Sequence, residues 1–205
     1  PEELLEIFDA AGRATGRAES RAAVHLEGQW HQAFHCWIVR HHRTEVVLQR
    51  RALTKDTFAG LWDASAAGHW RFGERPEEAA REIAEELGID IAFSELVYRG
   101  RERSARSFAN GLIDREHHQV YVLECDWPLS DYRPDPREVV GVAAFPAAGL
   151  LDLAAGRQPR LPATEAVSVG IGGRLEQVEV VVERTELVPY SVARLRRMLG
   201  RLSKR

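Results

Sequence analysis

A chain of 205 residues can enclose one sizeable core, and 44% hydrophobic with 29% charged residues is the composition of a globular domain, not of a fibrous or disordered chain. The net charge of −3 offers no general attraction to nucleic acid or to an anionic membrane, no apolar run reaches the length of a bilayer span, and no leader segment is visible. Cys36 and Cys125 sit inside apolar runs with no CxxC pair or His/Cys cluster near them, which argues against a structural zinc site and predicts two buried thiols in a reducing cytoplasm.

In chain order, "LLEIFDAAGRATGRAE" places apolar residues on both sides of a glycine turn and predicts a hairpin within an N-terminal extension of residues 1–30. Residues 31–156 form the main domain. It opens with strands over Ala33–Val39 and Glu45–Arg51, joined by a turn containing His41 and His42. A Gly/Ala/Ser-rich loop with a short extended piece, "TKDTFAGLWDASAAGHWRFGE", leads to a charged helix. Strands follow in "ELVYRGRERSAR", "HHQVYVLECDW" and "EVVGVAAFP", then a short helix in "AAGLLDLAAG". Residues 157–205 read as a C-terminal extension packed on the same domain. Arg157–Gly173 is a Pro/Gly-rich linker or ordered loop, followed by a strand and a terminal helix in which Val192, Leu195, Leu199 and Leu202 form a packing face. Strands that do not alternate strictly with helices predict an α+β fold with a mixed sheet and helices packed on it.

The helix in "GERPEEAAREIAEELGI" starts at Pro76, where no backbone N–H is needed, and stops at Gly88. Glu78, Glu82, Glu85 and Glu86 are three or four residues apart, so their side chains share a side. Like charges at that spacing repel by about 0.2–0.5 kcal/mol per pair. A solvated acidic face is one reading of the pattern. A divalent cation such as Mg²⁺ or Mn²⁺, which takes carboxylate oxygens as ligands, is the other.

The stretch "GHWRFGERPEEAAREIAEELGI" resembles the Nudix box, whose pattern is Gly, five residues, Glu, seven residues, then Arg-Glu-apolar-x-Glu-Glu-x-Gly-apolar. Gly68, Glu74, Arg81, Glu82, Ile83, Glu85, Glu86, Gly88 and Ile89 match it. Only six residues separate Glu74 from Arg81, which leaves the place of Glu74 open. The resemblance implies a Nudix-type α/β/α sandwich. It implies that Glu82, Glu85 and Glu86 bind Mg²⁺ or Mn²⁺, that Arg81 orients a glutamate, that the loop at Gly68 lends backbone groups, and that Glu85 and Glu86 with Arg81 carry catalysis on a small diphosphate compound. Glu116 is a further ligand from outside the helix, and Glu138 a weaker candidate for a general base.

From Glu6 to Gly156 the chain also resembles the branch of that superfamily containing isopentenyl-diphosphate isomerase. This likeness implies a second metal set of His25, His31, His69 and Asp114 with Glu116, and phosphate contacts from Arg50, Arg51 and Lys55. Strand alternation leaves one of the two arginines on the surface. His35 reads as space-filling, and only one of His117 and His118 can face the site. Trp62, Trp70, Phe72 and Phe108 are either an aromatic wall at the site or core. The isomerase branch carries a cysteine where this chain has Ala67. The reading is therefore a phosphoanhydride hydrolase, with an isomerase lacking that cysteine and a non-catalytic binding module as alternatives. The leaving group stays open. So does the role of the tail, which can extend the fold, cap the site or make a homodimer contact.

Overall fold

The computed structural model describes residues 3–170 and 174–200; Leu202 and the end of the predicted linker at Gly173 lie outside the described residues. The elements in order are β1 (Leu4–Phe8), β2 (Ala14–Ser20), α1 (Arg21–Glu27), β3 (Trp30–Arg40), β4 (Glu45–Arg51), β5 (Trp62–Asp63), β6 (Ala66–His69), α2 (Pro76–Ala79) and α3 (Arg81–Leu87). Then come β7 (Val97–Ser107), β8 (Ile113–Glu124), β9 (Val139–Pro146), α4 (Ala147–Ala154), β10 (Arg160–Pro162), β11 (Glu165–Val169), β12 (Leu175–Gln177), β13 (Val181–Glu183) and α5 (Val192–Leu199). None of the described helices is long and apolar enough to cross a membrane.

One mixed sheet organises the chain. Its main path runs β12-β11-β9-β4-β3-β1-β2, with β6 and β8 also on β3, and β7 on β8. The β3–β8 pair is parallel and sets His31 beside Glu116; its other partners run antiparallel. Alternation along β3 divides the core between the two faces. Trp37 and Val39 pack with Phe145 against Leu150 of α4 and Leu195 and Met198 of α5. Phe34, Cys36 and Ile38 pack against Ile83 and Leu87 of α3. Helices therefore cover both faces, giving the α/β/α sandwich, and both cysteines are free buried thiols. β1 and β2 form the N-terminal hairpin, joined to β3 at its Phe8 end.

Two expectations are corrected. The segment read as linker or loop holds two strands, β10 and β11, the second paired with β9 through Glu165–Ala144 to Ser168–Gly141. Its alternating Ala166 and Val167 are buried on opposite faces of the sheet, a signal outweighed in the sequence by the surrounding prolines and glycines. The charged helix is also not continuous. Ala80 lies between α2 and α3, and the Ile83 N–H bonds to the Ala80 carbonyl three residues back, a 3₁₀-type turn at the junction. Gly88 stops α3 in the left-handed region at φ 63°, where a Cβ would also strike the Arg133 backbone.

Candidate active site

A cavity of about 1190 Å³ lies where β3, β6 and β8 meet α3, the N-terminal segment and the tail. Ser20 caps α1 by accepting from the Ala23 N–H, and Gly28 ends it; the helix sets His25 over the sheet. His25 Nδ1 lies 2.9 Å from the Arg21 carbonyl and His31 Nδ1 3.1 Å from that of Gln29. A carbonyl only accepts, so each Nδ1 carries the proton and each Nε2 presents a lone pair. The rings of His25, His31 and His69 form a nearly equilateral triangle with centroids 5.0–5.1 Å apart.

Two carboxylates of β8 complete this nest. Asp114 Oδ1 is 3.8 Å from both His25 Nε2 and His31 Nε2, while Glu116 Oε1 is 3.9 Å from His31 Nε2 and 3.7 Å from His69 Nε2. Burial lowers all three imidazole pKa values, that of His31 to about 4, so the rings are neutral and able to coordinate. Burial and the neighbouring Glu116 charge raise Asp114 to about 8. Burial also opposes ionisation of Glu116, but His118, His31 and His69 hold it well below the usual carboxylate range. His31 Nε2 and Asp114 Oδ1 are buried without a hydrogen-bond partner among the described residues. Orphaned donor atoms facing one point are the feature a divalent ion fits.

The helix glutamates approach the same cavity from the other side of β6. Glu82 and Glu86 are buried, Glu85 is exposed, and all three line the cavity. Arg81 gathers two of them with Glu74: its Nε donates to Glu74 Oε1 at 2.7 Å, and its Nη1 donates to Glu85 Oε2 at 2.8 Å and to Glu82 Oε1. The shortened spacing thus leaves Glu74 on the Arg81 guanidinium. Glu86 Oε2 accepts from the Ala67 N–H at 2.8 Å and from Gln49 Nε2 at 2.9 Å. Burial raises Glu82 to about 7 and Glu86 to about 8. Glu78 leaves the set, because its carboxylate accepts from the Arg75 N–H and caps α2. A methyl group at Gly68 would overlap the Glu82 carboxylate, so the glycine is what lets the strand approach.

Arg51 and Lys55 line the cavity, whereas Arg50 projects to solvent with its Nε on the Gly60 carbonyl, because neighbours on β4 face opposite ways. Asp63 and the Thr57 carbonyl hold Arg51. Lys55 pairs with Glu138 at the mouth. Of the four aromatics, Phe72 alone lines the cavity; Trp62 is core against Phe145, Trp70 is partly buried near α3, and Phe108 packs on Phe58. His117 turns away to the Asp9 carbonyl, and His118 faces the cavity. Sequence reasoning missed His35, Arg21, and Tyr190 and Arg194 of the tail, all of which line the site. His35 shares the odd-numbered face of β3 with His31, which was a usable signal; the tail residues offered none.

A model of the NUDIX domain matches residues 29–166. The chain is 39% identical over 143 residues to an uncharacterized Nudix hydrolase of Clostridium acetobutylicum, covering 69% of this chain and 68% of that protein. It is 34% identical over 151 residues to an isopentenyl-diphosphate Delta-isomerase of Streptomyces coelicolor, covering 73% and 74% of the two chains. The crystal structure of DR0079 from Deinococcus radiodurans shares the fold with a TM-score of 0.55 at 21% identity, over 75% of this chain and 90% of that one.

Proposed function

This chain belongs to the Nudix hydrolase family, and we propose that it cleaves a phosphoanhydride bond in a small diphosphate compound in the cytoplasm. The observation that carries this reading is convergence. His25, His69, Asp114 and Glu116 of the nest, the three helix glutamates and the cations Arg51 and Lys55 all line one cavity, with the fully buried His31 closing the nest behind them. His25, His31, His69, Asp114 and Glu116 suit Mn²⁺, Zn²⁺ or Mg²⁺, and the oxygens of Glu82, Glu85 and Glu86, with backbone groups at Gly68, suit Mg²⁺ or Mn²⁺. When bound, such an ion neutralises phosphate charge and acidifies water. The rest falls to the chain. Arg51, already fixed by Asp63 and Thr57, and Lys55 hold the anionic diphosphate. Arg81 keeps Glu82 and Glu85 together against their mutual repulsion. Glu85 and Glu86 present carboxylates to the attacking water and its proton.

The test is a panel of nucleoside, sugar, dinucleotide and prenyl diphosphates with Mg²⁺ or Mn²⁺, products being identified by mass. Hydrolysis that is lost in Glu85→Gln and in His31→Ala is the expected result. Tight binding of a panel member without turnover would replace this reading with a binding module.

The similarity to isomerases favours a second reading, isomerisation of an allylic diphosphate. Ala67 lines the cavity where that branch has its cysteine, and Cys36 and Cys125 are packed in the core, so one proton-transfer partner is missing. An isomeric product without phosphate release would establish this alternative.

A further inference from the structure

Glu116 divides its two oxygens between different neighbours. Oε1 faces His31 and His69 at 3.9 and 3.7 Å, while Oε2 lies 2.6 Å from His118 Nε2. We propose that His118 is a positioning residue: its Nε2–H anchors one oxygen of Glu116 so that the other faces the metal nest, and α5 braces the arrangement through Arg194 and His35. This rests on the reading of the nest as a metal site.

The terminal torsion of a glutamate is soft, so an unanchored carboxylate swings. A charge-assisted bond from a buried imidazole removes that freedom. His118 is itself confined. It stacks on His35 with centroids 4.0 Å apart and planes 22° from parallel. Arg194 Nη2 donates to His35 Nδ1 at 3.2 Å, and Glu102, opposite His118 across the β7–β8 ladder, holds Arg194 Nε at 2.7 Å. Arg197 of α5 grips the other oxygen of Glu102 at 2.8 Å.

His35, Glu116 and His118 are close enough to suggest a second ion instead. The stack opposes it. Ring lone pairs lie in the ring planes, so nearly parallel rings cannot both aim at one ion about 2.0–2.1 Å away. The Arg194 guanidinium beside His35 adds a like charge. The imidazole of His118 therefore supports a ligand from outside the coordination set, a role whose loss weakens metal binding by about 10–100-fold.

Cobalt(II) alone is the probe, titrated into chelator-stripped full-length protein and followed by its visible absorption. His118→Leu and His118→Asn, neither of which can reach Glu116 with a donor, are expected to bind about 10–100-fold more weakly than the unmodified protein. His118→Gln, whose amide nitrogen can occupy the Nε2 position, is expected to stay within about threefold of it. Should the leucine variant not fold, the Asn–Gln comparison decides. The proposal is overturned if Asn binds as the unmodified protein does while His31→Ala is weakened, or if Gln is as weak as Asn. Equal cobalt binding by the unmodified protein and His31→Ala would instead remove the metal nest, and this proposal with it.

Discussion

Glu86→Gln separates what the site costs the fold from what it gives catalysis. Glu86 is buried, and burial moves its pKa from an ordinary 4.5 to about 8. The folded chain therefore holds this proton more tightly than the unfolded chain. The stability loss begins as pH rises past 4.5, grows up to the folded pKa near 8, and then levels off. At pH 7 the loss is at most about 3 kcal/mol, and at pH 5 under about 1 kcal/mol. Glutamine never ionises and escapes the loss. Both donors, Gln49 Nε2 and the Ala67 N–H, reach Oε2, where the glutamine carbonyl oxygen can accept them unchanged. The assay is thermal melting at pH 5 and pH 7 with a chelator present, since a bound ion would stabilise the unmodified protein by linkage. The variant should melt higher at pH 7 by as much as roughly 6–12 °C, with little difference at pH 5, while its diphosphate hydrolysis falls more than about tenfold. Equal melting shifts at the two pH values, or a variant less stable at pH 7, would refute burial of the charge as the dominant cost.

Gly68→Ala places a methyl on the Glu82 carboxylate, which Arg81 and the packed α3 keep from retreating; a destabilisation of about 1–3 kcal/mol is expected by denaturant unfolding, largely relieved when Glu82→Ala is added. Arg51→Ala should raise KM for the diphosphate at least about tenfold, and Arg50→Ala should leave it within about twofold, since only Arg51 faces the cavity; steady-state kinetics distinguish them. Leu195→Ala, buried against the sheet, should cost about 2–5 kcal/mol in unfolding experiments if the tail belongs to the same cooperative core.

The chain order of hydrophobic periods determined much by itself: the N-terminal hairpin, the strands from Ala33 to Pro146, the helix at Ala147 and the terminal helix. These are local signals, since alternation or 3.6-residue spacing decides which side chains share a face before any partner is known. The box motif likewise marked the helix carboxylates, because their spacing and Gly88 act within a few turns. Tertiary structure alone decided which groups meet. His31 on β3, His69 on β6 and Glu116 on β8 are distant in sequence and join only through the parallel β3–β8 register and the β3–β6 pairing, while α1 brings His25 to them. Arg81 could be assigned to a glutamate, but its grip on Glu74 depends on a turn whose length departs from the pattern. Tyr190 and Arg194 carried no signal at all, because reaching the cavity depends on how α5 packs over the sheet. Periodicity reports the face a side chain occupies; only the packed chain reports what lies across from it.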